Sequence, residues 1–184
     1  MDRSPAPADA AYPRLRQGLH WVSALLILAM FPTGLIMART LDDGLRLNLY
    51  QAHLLIGWVI VVLMLIRLGL RVRQPVPPPS GLAPWNRRLY LGVHWAATLL
   101  PLLLAVSGMG AILQNDLGQL LQAGIAPPAT LDVAQARDGH QVGAFLFAAL
   151  LVVHVAGVLR YQATKGDALG RMGLRLARRS GVPG

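Results

Sequence analysis

The sequence predicts an all-α fold, a bundle of four transmembrane helices, and two observations lead to it. The first is composition: 54% of the 184 residues are apolar, 14% are charged, and the charges are concentrated in a few short segments, which is typical of membrane proteins. The second is length. Each of four apolar blocks holds about the 20 residues that a helix needs to cross a bilayer. The blocks span residues 18–37, 52–70, 89–113 and 141–159.

The first block follows several arginines, as the apolar part of a secretory signal does. It is longer than that part usually is, and no convincing cleavage site of small residues follows it. We therefore expect it to remain in the membrane as the first helix.

Three connections join the blocks. The first, "ARTLDDGLRLNLYQ", is short. The second, "RVRQPVPPPSGLAPWNRR", should run extended, because proline fixes its own φ and keeps the preceding residue out of the helical region. The third, "QNDLGQLLQAGIAPPATLDVAQARDG", is the longest. Its leucines and Ile125 fall at helical spacing, which fits a short helix on the membrane surface and fits an ordinary loop equally well.

The distribution of basic residues predicts the orientation. If the N-terminus is cytoplasmic, 14 Lys and Arg residues lie in cytoplasmic segments and three lie outside, as the positive-inside rule requires. Both termini are then cytoplasmic. Residues 1–12 form one tail, 13–164 the membrane domain and 165–184 a basic tail, which suits lipid headgroups better than nucleic acid. The three outer cations are Arg39, Arg46 and Arg137.

All five histidines lie in or at the ends of the apolar blocks, where ionisable groups are costly and usually mark function. In the fourth block, His140 and His154 lie fourteen residues apart. On a helix this spacing returns to within about 40° of the same direction after a rise of about 21 Å. The two side chains therefore face one side at two depths, an outer level and an inner level. The full set is His20, His53, His94, His140 and His154.

The other histidines fall at the same two levels. Because successive helices alternate in direction, His53 at the start of helix two lies level with His140, and His20 lies level with His154. His94 also lies at the inner level. Spacing does not decide whether His20 or His94 reaches His154.

Facing pairs of imidazoles suit haem better than zinc. Zinc usually takes four ligands, and the four blocks contain no acidic or thiol group to complete them. Haem iron needs only two axial ligands. The chain has no cysteine, which excludes disulfides, thiolate-bound iron–sulfur clusters and covalently attached c-type haem. We therefore predict two non-covalent b-type haems, each held by two histidines.

A faint internal repeat relates the first and third helices. Shifting the chain by 74 residues lays "RLRQGLHWVSALLILAMFPTGLIM" over "RLYLGVHWAATLLPLLLAVSGMGA", and the matched pairs include His20 with His94 and Gly34 with Gly108. Apolar helices resemble one another by composition, so the match does not establish a duplication. The match does show that helices one and three each carry a histidine near the inner end.

The segments "GLHW", "QAHLLIGWVIVVLMLIRLGLRVRQPVPPP" and "DGHQVGAFLFAALLVVHVAG" resemble the bacterial cytochrome b561 family, and within it the four-helix di-haem superoxide oxidases. The likeness covers about residues 13–172. It implies a protein of the bacterial inner membrane in which His20 pairs with His154, and His53 with His140, as axial haem ligands. His94 matches a histidine of these proteins that is not an axial ligand.

The resemblance also implies a reaction, electron transfer from superoxide at the outer, periplasmic face through both haems to ubiquinone. Arg46 precedes His53 by seven residues and Arg137 precedes His140 by three. Both are therefore candidates for binding the propionates of the outer haem or for attracting the anion. The outer segments hold more Asp than basic residues, so only a local patch formed by Arg39, Arg46 or Arg137 would attract an anion.

The quinone is expected at the inner ends of helices one and three. An aromatic surface with a histidine that can bond a quinone carbonyl is a suitable pocket, although tryptophans at a membrane interface more often serve as anchors. The residues that gather there by sequence position are Trp21, Arg88, His94 and Trp95.

Two other functions compete with the superoxide oxidase. One is an electron-relay subunit that connects a partner dehydrogenase or hydrogenase to the quinone pool. The other is a small histidine-dependent carrier of metal ions or protons that contains no haem.

Overall fold

A computed structural model describes residues 11–114, 116–128 and 136–174, without the side chains of Gln114, Ala136 and Arg137. These ranges contain helices and no strand, and four of the helices are long and apolar enough to cross a membrane. The predicted all-α, four-helix membrane fold is therefore confirmed. The helices are α1 (Arg14–Met37), α2 (Asp43–Arg73), α3 (Pro84–Gln114), α4 (Leu117–Gln122), α5 (Ala136–Thr164) and α6 (Ala168–Arg171).

Helix α2 begins well before its apolar block, so the first connection is shorter than its sequence suggests. Asp42 caps the helix, because its side chain accepts a hydrogen bond from the backbone N–H of Leu45 (2.6 Å). The helix then runs for 31 residues, or about 46 Å. This exceeds the roughly 30 Å of bilayer hydrocarbon, so its polar ends extend beyond the apolar layer.

The third connection contains the short helix α4, one of the two structures that its sequence allowed. The helix ends because Gly124 adopts a left-handed conformation with φ of 71°. Two backbone hydrogen bonds close the end, from Ile125 N to Leu120 O (2.8 Å) and from Gly124 N to Leu121 O (3.3 Å), which is a Schellman motif. The second connection is irregular through its prolines, as predicted.

The four long helices form two pairs. Helix α1 packs along α2, α3 packs along α5, and the pairs meet chiefly between α2 and α3. A small core lies between the pairs, built from Ile27, Ile60, Met64 and Phe147. Many large apolar side chains instead face outward. In water such a surface would associate or aggregate, and in a bilayer it is the surface that meets lipid.

The end of the described chain packs against its beginning. The backbone N–H of Tyr12 donates to the carbonyl of Arg171 (2.9 Å), and Trp21 Nε1 donates to the carbonyl of Met172 (2.8 Å). Residues 165–174, the first part of the predicted C-terminal tail, therefore belong structurally to the helical bundle. The remainder of that tail and residues 1–10 lie outside the described residues.

Candidate functional site

The outer histidines, His53 on α2 and His140 on α5, face each other. Their ring centroids are 6.2 Å apart and the rings are inclined at 69°. An imidazole nitrogen lies about 2 Å from a transition-metal ion that it binds and about 1 Å from its own ring centre, so two rings on opposite sides of one ion have centres about 6 Å apart. The outer pair has this separation.

Both outer rings are held through Nδ1. His140 Nδ1 donates to the carbonyl oxygen of Leu104 (2.9 Å) and lies 3.1 Å from the hydroxyl of Ser107. His53 Nδ1 lies 3.2 Å from the hydroxyl oxygen of Thr33, which donates its own hydrogen to the α1 backbone. An Nδ1–H that donates in this way leaves Nε2 without a hydrogen and free to bind a metal.

Two glycines make room for these rings. A Cβ added at Gly34 would lie 3.3 Å from Cε1 of His53, and one added at Gly108 would lie 3.3 Å from Cε1 of His140. Each histidine therefore lies directly against the backbone of the neighbouring helix. Gly34 and Gly108 are a matched pair of the 74-residue repeat, so α1 supports His53 in the way that α3 supports His140.

A cavity of about 370 Å³ surrounds the outer pair, within the range of binding sites for organic ligands. Its walls come from α1, α2, α3 and α5 and are mostly apolar, with Phe31, Trp58 and Phe147 among them. An apolar cavity that presents two opposed imidazoles fits a flat apolar macrocycle with a central metal. The residues at the outer level therefore fit a b-type haem.

Three histidines meet at the inner level. The ring centroids of His20 and His154 are 6.3 Å apart, and those of His94 and His154 are 5.0 Å apart. Only the first distance matches the roughly 6 Å expected for two rings on one metal ion. His94 is held within its own helix, since its Nδ1 donates to the carbonyl of Tyr90 (2.7 Å) and its ring packs on the Tyr90 ring.

Arg67 on α2 completes the inner level, and sequence reasoning did not identify it as a site residue. It donates from Nη1 to the hydroxyl of Ser23, and its Nη2 lies 3.3 Å from Nδ1 of His20. The available signal was its position inside the second apolar block, because a charge within a membrane segment usually has a function. From its position in the sequence, Arg67 was included only among the 14 cytoplasmic cations.

The outer arginines have different surroundings. Arg46 is 5% exposed and uses all three guanidinium nitrogens, donating to the carbonyls of Pro127 (2.6 Å) and Thr40 (3.0 Å) and to the Asp43 carboxylate. This suits a structural role, and the predicted contact of Arg46 with an anion or a propionate finds no support here. Arg39 is exposed and lines the outer cavity. The Arg137 side chain lies outside the described residues.

Of the predicted quinone residues, His94 belongs to the inner histidines and Trp21 contacts one of them. Trp95 is 39% exposed, and the guanidinium carbon of Arg71 lies 4.4 Å from the centre of its ring. Trp21 lies with its ring 5.2 Å from that of His20. Arg88 is exposed. The cation beside Trp95 is thus Arg71, and sequence position alone pointed to Arg88.

In the part of the chain that the structure describes, no group of three or more His, Cys, Asp or Glu side chains is arranged to hold a metal ion. A site that binds a metal ion through protein ligands alone is therefore not found there. Pairs of histidines remain, as axial ligation of a porphyrin requires.

Comparison with known proteins identifies relatives. The family model described as prokaryotic cytochrome b561 matches residues 11–174. Cytochrome b562 of Cereibacter sphaeroides is 33% identical over 109 residues, which cover 56% of this chain and 67% of that protein. The match to the family model spans all six helices.

Proposed function

Because the chain belongs to the prokaryotic cytochrome b561 family, whose members are membrane electron-transfer proteins that bind b-type haem, we propose that it carries two haems and transfers electrons from superoxide to ubiquinone. The observation that carries this proposal is the pairing of histidines at two levels. The ring centroids are 6.2 Å apart in the outer pair and 6.3 Å apart in the inner pair.

The protein's own residues hold and separate the two cofactors. His53 and His140 bind the outer haem, and His20 and His154 bind the inner one. Haem b, when bound, takes up and releases one electron at a time. The hydrogen bonds at Nδ1 fix the outer rings, and the mostly apolar walls of the outer cavity would surround a bound haem with apolar side chains.

The electron donor approaches at the outer level. Superoxide is an anion and crosses hydrocarbon poorly, so it reacts where the haem lies nearest to water. Exposed Arg39, at the cavity that holds the outer pair, supplies the local positive charge, and Arg137 is a further candidate. Two superoxide anions each lose one electron to leave dioxygen, and one ubiquinone gains both electrons with two protons to become ubiquinol.

The acceptor binds at the inner level beside His94 and Trp95. His94 Nδ1 donates to the Tyr90 carbonyl, so the neutral ring has no hydrogen on Nε2. That nitrogen can accept a hydrogen bond from a hydroxyl of the ubiquinol product, and it can donate to a quinone carbonyl once the ring is protonated. The partly exposed Trp95 ring with Arg71 above it offers a flat surface for the quinone ring. By the distribution of cations this level faces the cytoplasm. The bacterial inner membrane as the location is supported by the prokaryotic family and by four helices long and apolar enough to cross a membrane.

Rapid mixing of the purified, oxidised protein with superoxide tests this function. We expect fast haem reduction, reoxidation on addition of ubiquinone, and slower reduction in Arg39→Gln and Arg137→Ala. The protein must be purified without other subunits, so that any reduction by superoxide can be assigned to this chain alone. If superoxide leaves the haems oxidised while ubiquinol reduces them, the protein is an electron-relay subunit for a dehydrogenase or hydrogenase partner instead.

A further inference from the structure

A positive charge lies at the inner level without a counter-ion among the described residues. Arg67 is within the membrane-spanning part of α2, and its contacts are the Ser23 hydroxyl and the His20 ring. Ser23 has no exposed surface, and its hydroxyl also bonds the α1 backbone. The ion pair found in the described ranges is Arg46 with Asp43, at the other end of α2. The charge of Arg67 is therefore not cancelled by a neighbouring carboxylate.

Arg67 also occupies a particular place in the two-pair architecture. It follows His53 on α2 by fourteen residues, as His154 follows His140 on α5. The supporting helices correspond as well, since Thr33 and Ser107, which lie beside the two outer rings, are 74 residues apart like His20 and His94. Helix α2 thus carries a cation, at the inner level, at the position where α5 carries a histidine.

We infer that Arg67 raises the reduction potential of the inner haem above that of the outer haem and thereby directs electrons inward. This inference rests on the proposed two-haem function. Adding an electron to an iron is favoured by a fixed positive charge beside its ligand, and the effect is stronger in a low-dielectric interior than in water. Arg67 stands beside the ligand His20 and far from the outer pair, so it acts mainly on the inner haem.

The surroundings of the ligand nitrogens act in the same direction. At the outer level, His140 Nδ1 donates to a carbonyl oxygen, which makes the ring a stronger electron donor and favours the oxidised iron. At the inner level, Nδ1 of His20 lies 3.3 Å from a guanidinium nitrogen of Arg67. When Nε2 of a neutral ring binds a metal, its hydrogen is on Nδ1. A guanidinium cannot accept that hydrogen, so Arg67 does not make His20 a stronger electron donor, and it adds a positive charge beside the ring. Both differences favour an electron on the inner haem.

The test is an equilibrium redox titration followed by haem absorbance. His140→Ala, which keeps the inner haem, and His20→Ala, which keeps the outer one, assign the two steps. In Arg67→Gln we expect the equilibrium constant for electron transfer between the two haems to move at least tenfold toward the outer haem. This corresponds to a change of about 59 mV in the difference between their reduction potentials, for one electron. Arg73→Gln is the control, since it removes an exposed cation from the same helix.

A second pair of variants neutralises the charge while keeping Arg67. Ser23→Asp places a carboxylate against the guanidinium of Arg67. Ser23→Asn is its control, because the asparagine side chain has nearly the same shape as that of aspartate and carries no charge. We expect Ser23→Asp to move the distribution in the direction of Arg67→Gln, and Ser23→Asn to leave it within threefold of the wild type.

The inference is overturned if neither Arg67→Gln nor Ser23→Asp moves the distribution, or if Arg73→Gln moves it equally. It is also overturned if Arg67→Gln and Ser23→Asp both lose the inner haem while Ser23→Asn keeps it, because the charge of Arg67 would then serve haem binding alone. A wild-type protein with fewer than two haems would contradict the proposed function itself, so the two failures are distinguishable.

Discussion

The proposed outer haem site depends on two positions where a single carbon atom decides whether the histidine rings fit. His53 lies against Gly34 and His140 against Gly108, so that the histidine rings and the backbone of the adjacent helix are in direct contact. A histidine ring in such a position cannot move toward the adjacent helix without displacing it. We infer that this contact, together with the Nδ1 hydrogen bonds, presets the rings before the cofactor binds.

Alanine at either glycine should therefore weaken the outer site. In Gly34→Ala or Gly108→Ala the new Cβ displaces the ring, and overpacking of this kind costs about 1–3 kcal/mol, or roughly five- to 150-fold in haem affinity. Haem content and the absorbance of the outer haem measure the effect. Gly18→Ala and Gly92→Ala are matched controls on the same helices, because a Cβ there meets no atom within 4 Å. Equal haem loss in the controls would contradict the prediction.

Single histidine variants test the ligand assignment. His53→Ala or His140→Ala should remove the outer haem, and His20→Ala or His154→Ala the inner one, leaving one haem per chain in each variant by pyridine haemochrome analysis. His94→Ala should keep both haems, because its ring is too close to His154 for a metal between them. A whole haem lost from His94→Ala and none from His20→Ala would reverse the inner pairing.

At the scale of the secondary-structure elements, Arg46 connects α2 to the segment that follows α4. Its Nε donates to the carbonyl of Pro127, a fully buried residue, and its Nη1 to the carbonyl of Thr40, in the turn before α2. These bonds satisfy the buried carbonyl oxygen of Pro127 and the partly buried one of Thr40. The outer ends of the helices are therefore held together through one side chain.

Arg46→Met should loosen this end of the bundle. Loss of a buried charged donor leaves the two carbonyls unsatisfied, which costs about 2–4 kcal/mol. Hydrogen–deuterium exchange of the peptide covering residues 116–128 should become faster, while exposed Arg39→Gln should leave it unchanged. If Arg46→Met instead slows haem reduction by superoxide without changing this exchange, Arg46 acts on the anion after all.

The helices were predictable because an apolar stretch of membrane length has few other structures open to it. The start of α2 was missed because its first turns are polar and are defined by the cap at Asp42, a local hydrogen bond that hydropathy does not report. The roles of Gly34, Thr33 and Arg67 depend on which side chain of another helix faces them. Sequence spacing gives a depth and a direction on one helix, and it does not give the facing residue.

At the scale of the whole molecule, the two helix pairs resemble each other at the outer level and differ at the inner level. The outer histidines are equivalent, each with a glycine and a hydroxyl on its supporting helix. At the inner level the corresponding positions hold Arg67 on α2 and His154 on α5. This difference gives the two levels unlike surroundings, which would favour one direction of electron transfer in the proposed function.

The direction of that path in the cell depends on the orientation of the molecule, which the cations predict: three lie at the outer level and 14 elsewhere. Because the chain has no cysteine, single-cysteine variants report sidedness directly. Leu41→Cys, at a site that is 84% exposed in the first outer connection, should react with a membrane-impermeant maleimide in intact spheroplasts. Gln74→Cys, exposed at the inner end of α2, should react only after the membrane is opened. Labelling of Gln74→Cys and protection of Leu41→Cys in intact spheroplasts would show that the bundle has the opposite orientation. The site of His53 and His140 would then face the cytoplasm, where superoxide from outside the cell could not reach it.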